Sequence, residues 1–113
     1  MGHKFENKVV EFLRNKYPGQ VKTVQGDYVP LENYNMALTK QYMLDGVPII
    51  DQAPLYNDEN KTFGVADLLI RSDWINKIID SKPISTVDET RKAPYLLGNY
   101  HYVVIDIKWT TMD

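Results

Sequence analysis

The sequence predicts one α/β domain, of the α+β kind, in which an N-terminal helix precedes a mixed sheet of three or four strands. Three observations lead there. The chain has 113 residues, the length of a single domain spanning 1–113. Its first apolar residues recur at helical spacing, whereas the later apolar runs are short, β-branched and bounded by turn residues. With 43% hydrophobic and 25% charged residues and a net charge of −2, it also has the composition of a chain that buries a core.

Each element has a local cause. Lys4 to Tyr17 reads as a helix stopped by Pro18-Gly19. Phe5, Val9, Val10, Phe12, Leu13 and Tyr17 share its broad apolar face, and Glu6 falls inside that face while Glu11 points away. Gln20 to Val24 is a short strand. Gly26-Asp27 and Pro30 then break the chain, and Met36 to Leu44 is a second helix. Val47 to Tyr56 is extended, with Pro48 and Pro54 confining it to an edge or to interrupted pairing. Across the polar turn Asn57-Asp58-Glu59-Asn60 the chain returns as Lys61 to Arg71, completing a hairpin. Ser72 or Asp73 caps a short helix running to about Asp80, with Trp74, Ile75, Ile78 and Ile79 on its apolar side. Pro83 ends it, a polar loop passes Arg91-Lys92, and Tyr100 to Trp109 is the most strand-like segment of all. A strand in mid-sheet normally runs on into an element that covers it. The end at Asp113 therefore predicts a fragment of a longer protein, or a protomer covered by a second copy or by a further domain such as a helicase.

Composition excludes several classes. The absence of cysteine excludes disulfide frameworks, thiolate zinc sites, iron–sulfur clusters and cysteine nucleophiles. Apolar runs of four residues at most, and the polar start Met1-Gly2-His3-Lys4, predict no membrane span and no signal peptide, hence an intracellular protein of cytoplasm or nucleus. No phosphate-loop, nucleophile-elbow or histidine metal motif is present. Charge is unevenly spread: residues 1–27 sum to +2, 28–70 to −4 and 71–113 to zero. An acidic middle argues against a simple nucleic-acid binder unless some of the negative charge holds cations.

Two core strands are interrupted by charge. Asp67 sits within Gly64-Val65-Ala66-Asp67-Leu68-Leu69-Ile70, and Asp106 and Lys108 are spaced i, i+2 within Ile105-Asp106-Ile107-Lys108-Trp109. Strand alternation puts Asp106 and Lys108 on one face. A buried isolated charge costs several kcal/mol, so these groups compensate one another or bind something. Pairing the strands with Asp67 beside Asp106 creates two repelling carboxylates, which a divalent cation would relieve; oxygen ligands favour Mg²⁺ or Mn²⁺. Lys108 would steady a water or the charge developing on a phosphate.

In order and context these residues resemble the PD-(D/E)XK nuclease superfamily, in its RecB-like and Holliday-junction-resolvase-like form: a helix glutamate at Glu6, then Gly64-Val65-Ala66-Asp67, then Ile105-Asp106-Ile107-Lys108. The resemblance spans residues 5–109. It implies a restriction-endonuclease-like fold lacking its C-terminal elements and a DNA nuclease of repair or recombination. Asp67 and Asp106 would be metal ligands, the Ile107 carbonyl a third, Glu6 an outer ligand and Lys108 the catalytic lysine. Ala66 stands where a proline often precedes the first aspartate, and the cluster-binding cysteines of one branch are absent.

A rival from another class remains open: a non-catalytic nucleic-acid or protein docking module on the same scaffold, its charges forming a structural network. For other residues the plain readings lead. His101 is a strand-surface residue, Asp45, Asp51, Asp58 and Glu59 are turn or solvated residues, Trp74 and Trp109 are core, and Arg91-Lys92 is solvated loop charge.

Overall fold

The computed structural model describes residues 2–26, 29–57, 60–79, 81–94, 96 and 98–106, with side chains from Lys8 onward, Asn57 excepted. The chain opens with α1 (Gly2–Lys16). Its last turn is closed by Tyr17 N–H donating to Leu13 O at 2.8 Å, and Gly19 takes the left-handed conformation (φ 78°) that ends the helical path. Val10 and Leu13 are buried, but Phe12 is 59% exposed, a correction to the broad apolar face read from the sequence. The sheet meets only the narrow line Val10, Leu13, Tyr17; Phe12 lies ~100° round the helix from Leu13, and its ring lies 5.6 Å from the Lys16 ammonium.

After β1 (Val21–Thr23) and a 3₁₀ turn, α2 (Met36–Leu44) starts where the Asn35 side chain accepts a hydrogen bond from Leu38 N–H at 3.1 Å. Then follow β2 (Ile49–Asn57), β3 (Thr62–Arg71), α3 (Ser72–Ile78), α4 (Thr86–Glu89) and β4 (Tyr102–Ile105). The four strands form one mixed sheet in the order β1-β2-β3-β4, with β1 parallel to β2 and the other pairs antiparallel. The fold is thus mixed α/β, with four helices among the described residues. None of these helices is long and apolar enough to cross a membrane.

Helices cover both faces of the sheet. On one side Val10 and Leu13 of α1 and Ile75 of α3 pack on Val21, Ile49, Leu68 and Ile70. On the other, Met43 of α2 and Leu96 pack on Ile50 and Leu69. This explains why Leu68-Leu69-Ile70 shows no alternation: a strand buried on both faces reads as a continuous apolar run.

The prolines do not confine β2 to an edge. It lies inside the sheet, and Pro54 is fully buried opposite Val65. Because β1 pairs only with Ile49–Asp51, the half of β2 that holds Pro54 has one neighbouring strand, so the missing N–H faces no second ladder.

Ser72 does not cap α3; Arg71 occupies the cap position, and the fully buried Ser72 hydroxyl ties two distant segments. It donates to Glu89 O at 2.7 Å and accepts from His101 N–H at 3.0 Å, while Ser72 N–H donates to His101 O at 2.8 Å. Ser72→Ala removes the hydroxyl from two half-buried partners at a fully buried position, so we expect a loss of about 2 kcal/mol, on the order of 8 °C in Tm, measured by thermal unfolding. The Asn76 amide similarly secures the following loop, donating to Ile84 O at 2.8 Å and accepting from Ile84 N–H at 3.3 Å.

Thr39 shows the opposite case. It is 1% exposed, and among the described residues its hydroxyl has no hydrogen-bond partner. Thr39→Val keeps the branched shape and removes the desolvated hydroxyl, so the same measurement should show stabilisation by about 1 kcal/mol; an unchanged or lower Tm would mean the hydroxyl is satisfied.

Candidate functional site

The β3–β4 ladder pairs Arg71 with Tyr102, Ile70 with Val103, Leu69 with Val104 and Leu68 with Ile105. The ladder and β4 end at Ile105; continued one step past that end, the same register would set Asp67 opposite Asp106. The β2–β3 ladder extends this row: Asp51 pairs with Leu68 and Ala53 with Ala66, so the intervening Gln52 is opposite Asp67. On that continuation Gln52, Asp67 and Asp106 follow one another from β2 through β3 to the end of β4. Directly opposed residues of antiparallel strands have Cα atoms ~4.5–5.5 Å apart, close enough for two carboxylates to repel or to share a cation.

Counted back from Leu69, strand alternation sets Asp67 on the side of the sheet covered by α2, but Ala66 packs in that same cluster, so the alternation is interrupted beside Asp67. Val104 is 54% exposed and Asp106 is exposed, while Asp67 is half-buried.

Ile107, Lys108 and Trp109 lie outside the described residues. Glu6 belongs to α1, and its side chain also lies outside them. Its helical position is one turn before Val10, on the line of Val10, Leu13 and Tyr17. That line packs on the face of Ile49, Leu68 and Ile70.

Asp51 corrects the sequence reading. It is no turn residue but a strand residue 8% exposed. Its carboxylate accepts from Thr23 Oγ1 at 2.8 Å, and the Arg14 guanidinium of α1 donates to the same Thr23 hydroxyl and to Val21 O at 3.4 Å. This network pins α1 to the short strand β1. Its sequence signal was a carboxylate directly after Pro48-Ile49-Ile50. Asp45 is exposed and accepts from Gln41 at 2.8 Å, as the sequence reading had it; Asp58 and Glu59 lie outside the described residues.

The remaining polar clusters are structural. Arg71 donates to both carboxylate oxygens of Asp73, at 2.6 and 2.9 Å, and to Gly46 O at 2.5 Å, with its guanidinium 5.2 Å from the centre of the Tyr100 ring. The hydrogen bonds to Asp73 hold its pKa above the ordinary arginine value. Tyr100 and Tyr102 donate to Met43 O at 3.0 Å and Val47 O at 2.6 Å, locking the turn after α2 beneath β4. His101 Nδ1 lies 2.9 Å from Arg91 O, so that nitrogen carries the proton and holds the loop. Arg91 pairs with Asp88 at 2.9 Å on the surface. Trp74 packs edge-on to Tyr17 at 5.5 Å, in the core position read from the sequence. A cavity of about 440 Å³ between α2 and the distal half of β2, lined by Met36, Thr39, Lys40, Met43, Pro54, Leu55 and Tyr56, does not include the carboxylate row.

Oxygen donors from Asp67 and Asp106, one of them open to water, fit a hard divalent cation that keeps several waters. Among the described residues no group of three or more His, Asp or Glu side chains forms a complete cage. Comparison with protein-family models, with curated proteins and with solved structures gives no match for this chain.

Proposed function

We propose that the chain is a metal-dependent phosphodiesterase acting on DNA, a nuclease of the PD-(D/E)XK type on a restriction-endonuclease-like scaffold. The observation that supports this reading most is the β3–β4 register, which, continued one step past its last pair, Leu68 with Ile105, sets Asp67 opposite Asp106. A half-buried and an exposed carboxylate at the end of a ladder are suited to an exposed polyanion approaching with its counterion. Asp67 and Asp106 hold Mg²⁺ or Mn²⁺, with the Ile107 carbonyl as a further ligand and Glu6 in an outer role. When bound, the cation supplies Lewis acidity toward a phosphate oxygen and lowers the pKa of water. Lys108, two residues beyond Asp106, donates to the attacking water or a non-bridging phosphate oxygen and fixes the in-line approach.

A net charge of −2 gives the chain little general affinity for DNA. Binding on this reading is weak and salt-sensitive, and a second copy or a further domain, such as a helicase, completes the groove. The test is digestion of duplex, single-stranded and branched DNA in Mg²⁺ or Mn²⁺ by this chain and by a longer one. Cleavage that disappears with chelator is expected. A longer chain that binds Mn²⁺ and DNA yet cuts none of the three substrates would instead support the docking-module reading.

A further inference from the structure

The cavity of about 440 Å³ between α2 and the distal half of β2 takes its lining from the two elements that wall it. From α2 come Met36, Thr39, Lys40 and Met43, the i, i+3, i+4, i+7 face of a helix. From β2 come the consecutive Pro54, Leu55 and Tyr56, so the cavity runs along the edge of the strand and not over a single face. β1 does not reach that edge, since it pairs only with Ile49–Asp51. The volume lies in the range of small-ligand sites, ~300–1,000 Å³.

A helix face turned toward a sheet ordinarily carries apolar residues throughout. Here two of its four positions are polar, and both line the cavity. Thr39 is 1% exposed, its hydroxyl is closed to solvent, and among the described residues that hydroxyl has no hydrogen-bond partner. A buried hydroxyl left unmet costs stability, and an acceptor entering the cavity would remove that cost. Lys40, the next residue, is exposed and brings a positive charge and a donor to the same wall. Met36 and Met43 flank Thr39 at i−3 and i+4. Their unbranched side chains change rotamer easily, so the wall beside the hydroxyl yields to an entering group.

From this lining we infer that the cavity binds a small carboxylic acid with an apolar body, its carboxylate accepting from the Thr39 hydroxyl and facing Lys40, its body lying against Met36, Met43, Leu55 and Tyr56. A carboxylate fits because Lys40 is cationic and only donates, and the Thr39 hydroxyl lacks an acceptor. An amine would be repelled by Lys40, and a purely apolar molecule would leave the hydroxyl unmet. The site shares no residue with the metal-site reading and stands or falls apart from it.

The test follows the amide chemical shifts of the 113-residue chain during titration with naphthoate and with octanoate, each beside its matching alcohol, naphthylmethanol or octanol. At least one of the acids should shift the amides of α2, Leu55 and Tyr56 saturably. Thr39→Val, which should melt no lower than wild type, is expected to weaken that binding about tenfold or more, as for loss of a hydrogen bond to a charged acceptor. Thr39→Ser, which keeps a hydroxyl, should weaken it less. Lys40→Gln should weaken the acid about threefold, as for an exposed ion pair, and leave the alcohol unchanged. Saturable binding of neither acid, or shifts confined to other residues, overturns the inference, as does wild-type affinity in Thr39→Val. If Thr39→Val does not fold, Lys40→Gln decides: a loss for the acid alone supports the inference, and any other result overturns it.

Discussion

Lys108→Ala is expected to lower DNA cleavage by about 10²-fold or more while leaving Mn²⁺ affinity unchanged, whereas Asp106→Ala abolishes both. The size follows from the loss of one preorganised donor to the charge that develops at a reacting phosphate, typically ~10²–10³-fold. The division follows from position. Asp106 directly follows the last residue of β4, where the continued register would set it opposite Asp67, so on the proposed reading it sets occupancy. Lys108 acts only once phosphate and water are in place. Parallel measurement of cleavage and Mn²⁺ binding on the same preparations checks this. Equal cleavage by Lys108→Ala and wild type would show that the D-x-K pattern at Asp106 to Lys108 does not carry the chemistry.

Divalent cations should raise the melting temperature strongly. On the proposed reading folding sets Asp67 and Asp106 opposite each other, one step past the last β3–β4 pair, and a cation between them removes that repulsion. Any ligand that binds only the folded chain at 100 times its dissociation constant adds about 2.7 kcal/mol, and with ~4 °C per kcal/mol for a domain of about this size the shift is on the order of 10 °C. Asp67→Asn should lose most of that gain and leave the metal-free protein equally or more stable, since one of two like charges is gone. A melting temperature unchanged in millimolar Mg²⁺ and Mn²⁺ would count directly for the docking-module reading. A gain retained in full by Asp67→Asn would place the cation elsewhere.

How much of this was legible in the sequence depends on what kind of force fixes each feature. Asp67 and Asp106 stood out because each interrupts an apolar run; Asp67 is a half-buried strand residue, whereas Asp106 is exposed just past the end of β4, so a buried charge needs a reason at Asp67 and not at Asp106. The hairpin was legible from the polar turn after Tyr56; the helix at Met36 was read from its residues, but its cap, Asn35, was not. The central place of β2 was half legible: two prolines argue for an edge or for interrupted pairing, and the half of β2 that holds Pro54 pairs with β3 and not with β1. Only the shortness of β1, three residues, reconciles them with the sheet interior. Asp51 looked like its solvated neighbours in sequence, and its burial depends on Arg14 and Thr23, which come close only once α1 and β1 are packed. Least visible was the left-handed backbone of Gln52 inside β2, which nothing in its residue type or spacing marks.

A crystal structure of the chain grown with Mn²⁺, using anomalous scattering to locate the ion, tests the central claim most directly. The account predicts a single Mn²⁺ bonded to carboxylate oxygens of both Asp67 and Asp106, with metal–oxygen distances near those of Mg²⁺, about 2.1 Å, and with Lys108 on the same side of the sheet. Mn²⁺ found away from both aspartates, or the two carboxylates pointing to opposite faces of the sheet, would contradict it.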